Sequence, residues 1–384
     1  MISLMARYFL GLLFFALLLA AQSAPTLILR NGRVWTANPQ QPWAEAVAIT
    51  GNRITAVGSN ATIAKLAGPR TQTVDLEGHL TTPGFNDAHI HFLGGARGLR
   101  QIDLTGACTL EEMQKRIRDF AEKNPSAEWI TGSGWEYFCF PPGRVARKED
   151  LDAAVKDKAV FLSAYDGHSG WANTKALRIG EVARAEFKGF GEVEKDPLTG
   201  EPTGYLKEGA MGLVRRHIPR PSRAQNLADL ETGLKLAASF GITSLQNASG
   251  SPDELSLYEE LLKQGKLTAR VGMVMSVGRK DAPLTDYAQI ERKYFQNKML
   301  RVPGIKLMLD GVIESHTAAM LEPYSDDPNL SGEPNWSAED FNDVVLRADR
   351  LGLQIWTHAI GDRAVRMALD AYENATRRNA GRYH

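Results

Sequence analysis

Two cysteines, Cys108 and Cys139, are all that the 384 residues contain, which excludes a disulfide-built miniprotein. Their separation does not decide whether they pair. Charge of one sign is not in excess either, since Lys plus Arg and Asp plus Glu stand at 45 each. With no global field to gather phosphate backbones or anionic lipid, nucleic acid is not an expected partner. An apolar run long enough to cross a bilayer is also lacking: the uncharged stretch Tyr8 to Ala21 falls short of the roughly 20 residues a spanning helix needs. What the chain does have, 43% apolar and 23% charged residues, is an ordinary globular composition. At roughly 150 residues per domain its length allows one large domain or two.

The first two dozen residues stand apart. One positive charge in Met1 to Arg7, then the apolar stretch, then the small residues at Ala21, Ser23 and Ala24, have the order of a secretory signal peptide. Residues 1–24 are therefore expected to be removed on export to the periplasm or medium. No stable membrane span should remain, and no cysteine is near the cleavage point to take a lipid.

Residues 25–80 read as short strands, Thr26 to Leu29, Arg33 to Thr36, Ala46 to Ile49, Ile54 to Val57 and Thr73 to Leu76, with turns at Asn31-Gly32 and Gly51-Asn52. From 81 to 384 apolar strands alternate with amphipathic helices, the pattern of βα units around a parallel sheet. Strands are expected from Phe85, at Gly241 to Gln246, Arg270 to Ser276, Ile305 to Leu309 and Leu353 to His358. Thr109 and Ser337 open capping boxes for helices ending near Asn124 and Gly352. Residues of about 100–225 interrupt the alternation and read as an insertion, with strand-like pieces at Trp129 to Thr131 and Val160 to Ser163.

Three strand ends carry chemistry. His89 and His91 point the same way from one strand, about 7 Å apart at the backbone, so both imidazoles can grip one divalent ion. Two polar residues in a loop mouth is the plainer reading of His-x-His. On Ile305 to Gly311, Lys306, Met308 and Asp310 share a face. A buried lysine tends to the neutral amine, which carbon dioxide can convert into an anionic ligand bridging two metals; the alternative is a lysine reaching a carboxylate. His358 sits at the carboxyl end of its strand, where parallel barrels place their chemistry.

The segments Asn31 to Thr36, Pro83 to His91, Asp166-Gly-His-Ser-Gly-Trp-Ala-Asn173, Gly241 to Asn247, Lys306 to Gly311 and His358 to Asp362 together resemble the amidohydrolase superfamily. More narrowly they are similar to its amidohydrolase-3 branch, which includes N-substituted formamide deformylases. The resemblance implies an α/β fold: a TIM-like (β/α)8 barrel with a small composite β-sandwich and one or two zinc ions. Carried over by position, His89 and His91 bind the first metal, Lys306 is the carboxylated bridge and His358 binds the second. His168, Trp171, Asn173 and Gln246 shape the substrate pocket. Asn247 stands where relatives often have Asp.

The family pattern continues with a sixth strand bearing another metal histidine and an eighth bearing the aspartate that handles the proton, whereas about five strands are present here. The barrel is expected to be incomplete and the sequence a fragment of a longer reading frame. Asp310 is the nameable substitute for the missing proton carrier, and Asp87 a support for the histidines. The leading expectation is a metal-dependent hydrolase of non-peptide carbon–nitrogen bonds in amides or N-formyl compounds. A small-molecule amide is then the partner, and a homodimer is compatible. A second expectation is a catalytically dead remnant that keeps a metal or ligand, and a third is lactone or ester hydrolysis on the same scaffold.

Overall fold

The computed structural model describes residues 24–140, 144–188 and 190–379. The expected signal segment, apart from Ala24, lies outside the described residues. The chain divides into two compact units, one through Gly84 and one from Phe85.

In the first unit, Leu27–Arg30, Ala46–Thr50, Arg53–Gly58 and Gln72–Asp75 form a four-stranded sheet, and Arg33–Trp35 pairs with Trp43–Ala44 and Leu80–Thr81 in a three-stranded one. Thr50 faces Arg53 across a two-residue hairpin loop, in which Gly51 has φ of 60°. A side chain is disfavoured there, so the Gly-Asn pair fixes this hairpin. Asn31-Gly32, by contrast, leads from one sheet to the other. Ile28, Ala46, Ala48 and Ile63 form the small core.

The second unit is built on β1 (Phe85–Ile90), β2 (Ile242–Gly250), β3 (Arg270–Val277), β4 (Gly304–Met308) and β5 (Gln354–His358). These five strands are parallel neighbours in chain order, with the two-residue Leu300–Arg301 beside β3. Parallel neighbours need crossovers, and helices supply them: α1 (Arg223–Ser239) before β2, α2 (Pro252–Lys263), α3 (Leu284–Tyr294), α4 (Ala338–Arg350) and, after β5, α5 (Asp362–Arg378). This is an incomplete TIM-like barrel. Serine begins three of the helices: the hydroxyls of Ser222, Ser251 and Ser337 accept from the amides of Gln225, Glu254 and Asp340, satisfying donors that the first turn leaves free. No helix among the described residues is long and apolar enough to cross a membrane.

The period-2 pattern of β4 decides what faces where. Ile305, Leu307 and Leu309 are fully buried against Phe341, Val344 and Val345 of α4 and against Ala364 and Ala368 of α5. Lys306 and Met308 therefore take the other face. Leu245 of β2 and Met273 and Met275 of β3 pack likewise on Leu230 and Leu234 of α1 and Tyr258 of α2.

Between β1 and α1 the insertion forms its own six-stranded sheet, in the order Gly191–Lys195, Pro202–Glu208, Ser169–Ala172, Ala159–Ala164, Trp129–Trp135 and Ile102–Asp103. Both of its faces are covered. Cys108 and Cys139 are joined in a disulfide within it.

Candidate functional site

Two strand ends at opposite edges of the barrel sheet come together. The His89 ring on β1 lies 6.1 Å, centroid to centroid, from the Trp356 indole on β5, so the five strands curl until the first and last touch. Lys306 is the register partner of Trp356 and the His358 backbone pairs with Met308, so β4 and β5 bring the lysine and the third histidine to the same end. His89 and His91 have ring centroids 5.6 Å apart, nearly perpendicular. Asp87 Oδ1 accepts the His89 backbone N–H at 3.1 Å.

The groups shift one another. Desolvation lowers the pKa of His89, and the nearby charges of Lys306 and His358 lower it further against the opposing pull of Asp87. Desolvation also lowers His91, helped by His89 and Lys306. Lys306, only 6% exposed, is lowered by burial alone. None of the ion pairs among the described residues includes it. The plainer reading of Lys306, a lysine meeting a carboxylate, thus finds no partner there.

These donors have the chemistry a divalent ion takes, imidazoles beside an amine whose pKa burial lowers. They do not form a closed cage. Among the described residues no three His, Cys, Asp or Glu side chains gather tightly enough to hold an ion together. His358 directs Nε2 at the Gly311 carbonyl, 3.0 Å away. His89 and His91 fit as ligands in this arrangement, and Lys306 and His358 stand beside them.

Asp310 has another occupation. It is 1% exposed, and its carboxylate accepts the backbone N–H groups of Ala319, Ile360 and Gly361 at 3.0, 3.0 and 2.8 Å. It fastens the loop after β4 to the turn between β5 and α5, and stands 3.9 Å from His358 Nε2. A proton carrier needs a free lone pair facing the reacting atoms, and backbone amides take three of the roughly four acceptor positions of this carboxylate.

Of the four residues expected in the substrate pocket, the structure brings His168 to the histidines. Its ring centroid is 5.6 Å from that of His358. Nδ1 lies 2.9 and 3.0 Å from the two carboxylate oxygens of Glu208. Burial pulls the imidazole down, but the hydrogen bond and charge of Glu208, with Asp166 and Asp310 adding, carry it above its ordinary range. Gln246 lies on the face of β2 opposite Leu245, its carboxamide resting over Gly272. Trp171 and Asn173 are fully buried in the insertion. Trp171 packs edge-on against Trp135 and Phe140 and donates Nε1–H to the Arg147 carbonyl. Asn173 caps the helix Thr174–Ile179 and ties Val160, Val155 and Lys158 to it. Both hold the insertion together rather than face the histidines. Asn247 joins the amide of Phe92 to the Glu254 carboxylate behind β2.

Sequence reasoning passed over Glu208, Thr317 and Ser249. Ser249 is a polar residue near the end of β2 with nothing local to mark it. Glu208 ends a strand with φ of 47°, a left-handed conformation that no pattern announces for a glutamate.

Comparison with known proteins agrees with this architecture. The chain is similar to Protein LONG AFTER FAR-RED 3 of Arabidopsis thaliana, 31% identical over 93% of this chain and 62% of that protein. It is also similar to the putative amidohydrolase YtcJ of Bacillus subtilis and the N-substituted formamide deformylase of Arthrobacter pascens, each 26% identical over 92% of this chain and 66% of theirs. The chain thus spans just under two thirds of the length of these relatives. Among solved structures, an uncharacterized metal-dependent hydrolase from Pyrococcus furiosus superposes with a TM-score of 0.65 at 28% identity, covering 91% of this chain and 70% of that one. A second, from Pyrococcus horikoshii, gives 0.66 at 25% identity, covering 91% and 68%. The model of the amidohydrolase family matches residues 72–383, and the chain belongs to that family, in its amidohydrolase-3 branch.

Proposed function

We propose that the chain is part of an exported metal-dependent hydrolase that cleaves non-peptide carbon–nitrogen bonds in amides or N-formyl compounds. The observation that carries this reading is the convergence of His89 and His91 with Lys306 and His358 where β1 curls back to β5. The formamide substrate class is suggested by the name of the Arthrobacter relative. A bound divalent ion, zinc in this reading, supplies Lewis acidity to the carbonyl and a water acidic enough to react at neutral pH. The residues of the chain do the rest. His89 and His91 would hold the ion through ring nitrogens, and Lys306, once its amine has added carbon dioxide at Nζ and lost a proton, would supply the anionic donor that three imidazoles lack. His358, which contacts the Gly311 carbonyl, would be the third imidazole available to the ion. His168 presents Nε2 towards the departing nitrogen.

The test is a screen of the zinc-loaded full chain against formamides, amides, esters and lactones, read as release of amine, alcohol or acid. Amine release that disappears in His89→Ala supports the proposal. Turnover confined to esters or lactones replaces it with the alternative chemistry. Stoichiometric zinc without turnover of any class points to a metal-binding remnant instead.

A further inference from the structure

One carboxylate of the insertion is bound to the site more closely than packing requires. Both oxygens of Glu208 lie on Nδ1 of His168, and the Glu208 backbone N–H donates to the His168 carbonyl at 2.9 Å, so side chain and main chain hold the same residue. Oε1 also accepts the Thr317 hydroxyl at 2.6 Å, from the loop that follows β4. Glu208 reaches this position with φ 47° and ψ −127°, a backbone that side-chain-bearing residues rarely adopt. Across from it, Gly311 leaves no room for a Cβ, which would overlap both the Thr317 hydroxyl and Glu208 Oε1. The carbonyl of that same Gly311 receives His358 Nε2. The neighbouring Asp166 does not compete for the His168 ring, because its carboxylate takes the Tyr137 hydroxyl and the His168 backbone N–H.

We propose that Glu208 is a positioning residue, which pins the proton of His168 on Nδ1 and thereby presents Nε2 to the substrate beside His358. This rests on the hydrolase reading of the same site. A carboxylate on one imidazole nitrogen fixes both the tautomer and the ring orientation, leaving the other nitrogen a single defined role. A link that served stability alone needs neither a left-handed glutamate nor a glycine kept clear for it. Thr317 anchors the carboxylate from the barrel side, so the insertion and the barrel together set the direction of the ring.

The experiment uses the full chain labelled with 15N-histidine. The Nδ1–H of His168, assigned by its loss in His168→Gln, is expected as a low-field, exchange-protected proton. In Glu208→Gln it should move upfield, and kcat on any substrate found should fall by at least about tenfold with little change in KM. An unchanged proton and unchanged 15N shifts in a folded Glu208→Gln protein overturn the proposal. Should that variant not fold, Thr317→Val frees Oε1 from its second donor and must shift the same proton downfield; no shift overturns the proposal equally. The resonance decides the positioning role without any turnover, whereas failure of the hydrolase reading shows only in the substrate screen.

Discussion

Nδ1 of His91, just past the end of β1, lies 2.8 Å from Oγ of Ser249 on β2. The hydroxyl occupies one ring nitrogen and leaves Nε2 as the one free to take a ligand. Groups that hold a metal-binding imidazole in this way typically contribute 10–100-fold in affinity. Ser249→Ala is expected to weaken zinc binding by about that factor while leaving the unfolding midpoint nearly unchanged. Titration against a competing chelator measures it, and unchanged affinity would show that the hydroxyl orients nothing.

His89→Ala should release most of the metal, because in the His89–His91 pair two imidazoles meet at a single strand end. Elemental analysis of the dialysed protein reads the stoichiometry. A variant that retains its full metal content removes the His-x-His assignment.

Lys306 is buried in the barrel without an ion pair among the described residues, and burial favours its uncharged amine. If the amine works by carrying a carboxyl group, Lys306→Ala should lose metal and activity, and millimolar acetate or propionate should restore part of each. A lysine that only fills space predicts no response to such acids.

The barrel was readable because its signals are local and repeated. Apolar strands of regular length, serine caps and the alternation of Ile305, Leu307 and Leu309 with Lys306 all follow from nearest-neighbour geometry. Five strands and both capped helices accordingly stand within a few residues of their expected positions. The insertion was less readable, since its sheet mixes parallel and antiparallel pairs whose partners lie far apart in sequence. Trp171 and Asn173 share a short motif with His168, yet a strand turns successive side chains to opposite faces, and the core takes these two. The disulfide between Cys108 and Cys139 likewise depends on loops that only the folded sheet brings together.

Asp310 is where stability and chemistry part. Its carboxylate accepts three backbone N–H groups, two of them buried, and each buried donor left unsatisfied costs about 1–3 kcal/mol. Asp310→Ala should therefore destabilise the chain by roughly 3 kcal/mol or more in urea unfolding. A variant that unfolds like the parent but loses turnover would return Asp310 to the role of proton carrier.

Glu254 makes the dependence of stability on pH specific. Burial raises its pKa, and the hydrogen bonds from Asn247 and Tyr258 only partly oppose this. The folded state thus binds the proton more tightly than the unfolded state. Between the two pKa values the native chain carries more bound protons, so the slope of unfolding free energy with pH is negative. The contribution of Glu254 is most favourable below the ordinary glutamate pKa and is lost as pH rises through the folded value. Glu254→Gln keeps an oxygen to accept from Asn247 but cannot ionise, and its stability relative to the parent should improve steadily across that interval. Urea midpoints of parent and variant at half-unit steps from pH 4 upwards measure the difference (about 1.4 kcal/mol per unit of pKa shift). Parallel curves for the two proteins would mean that water or a nearby cation already compensates the buried charge.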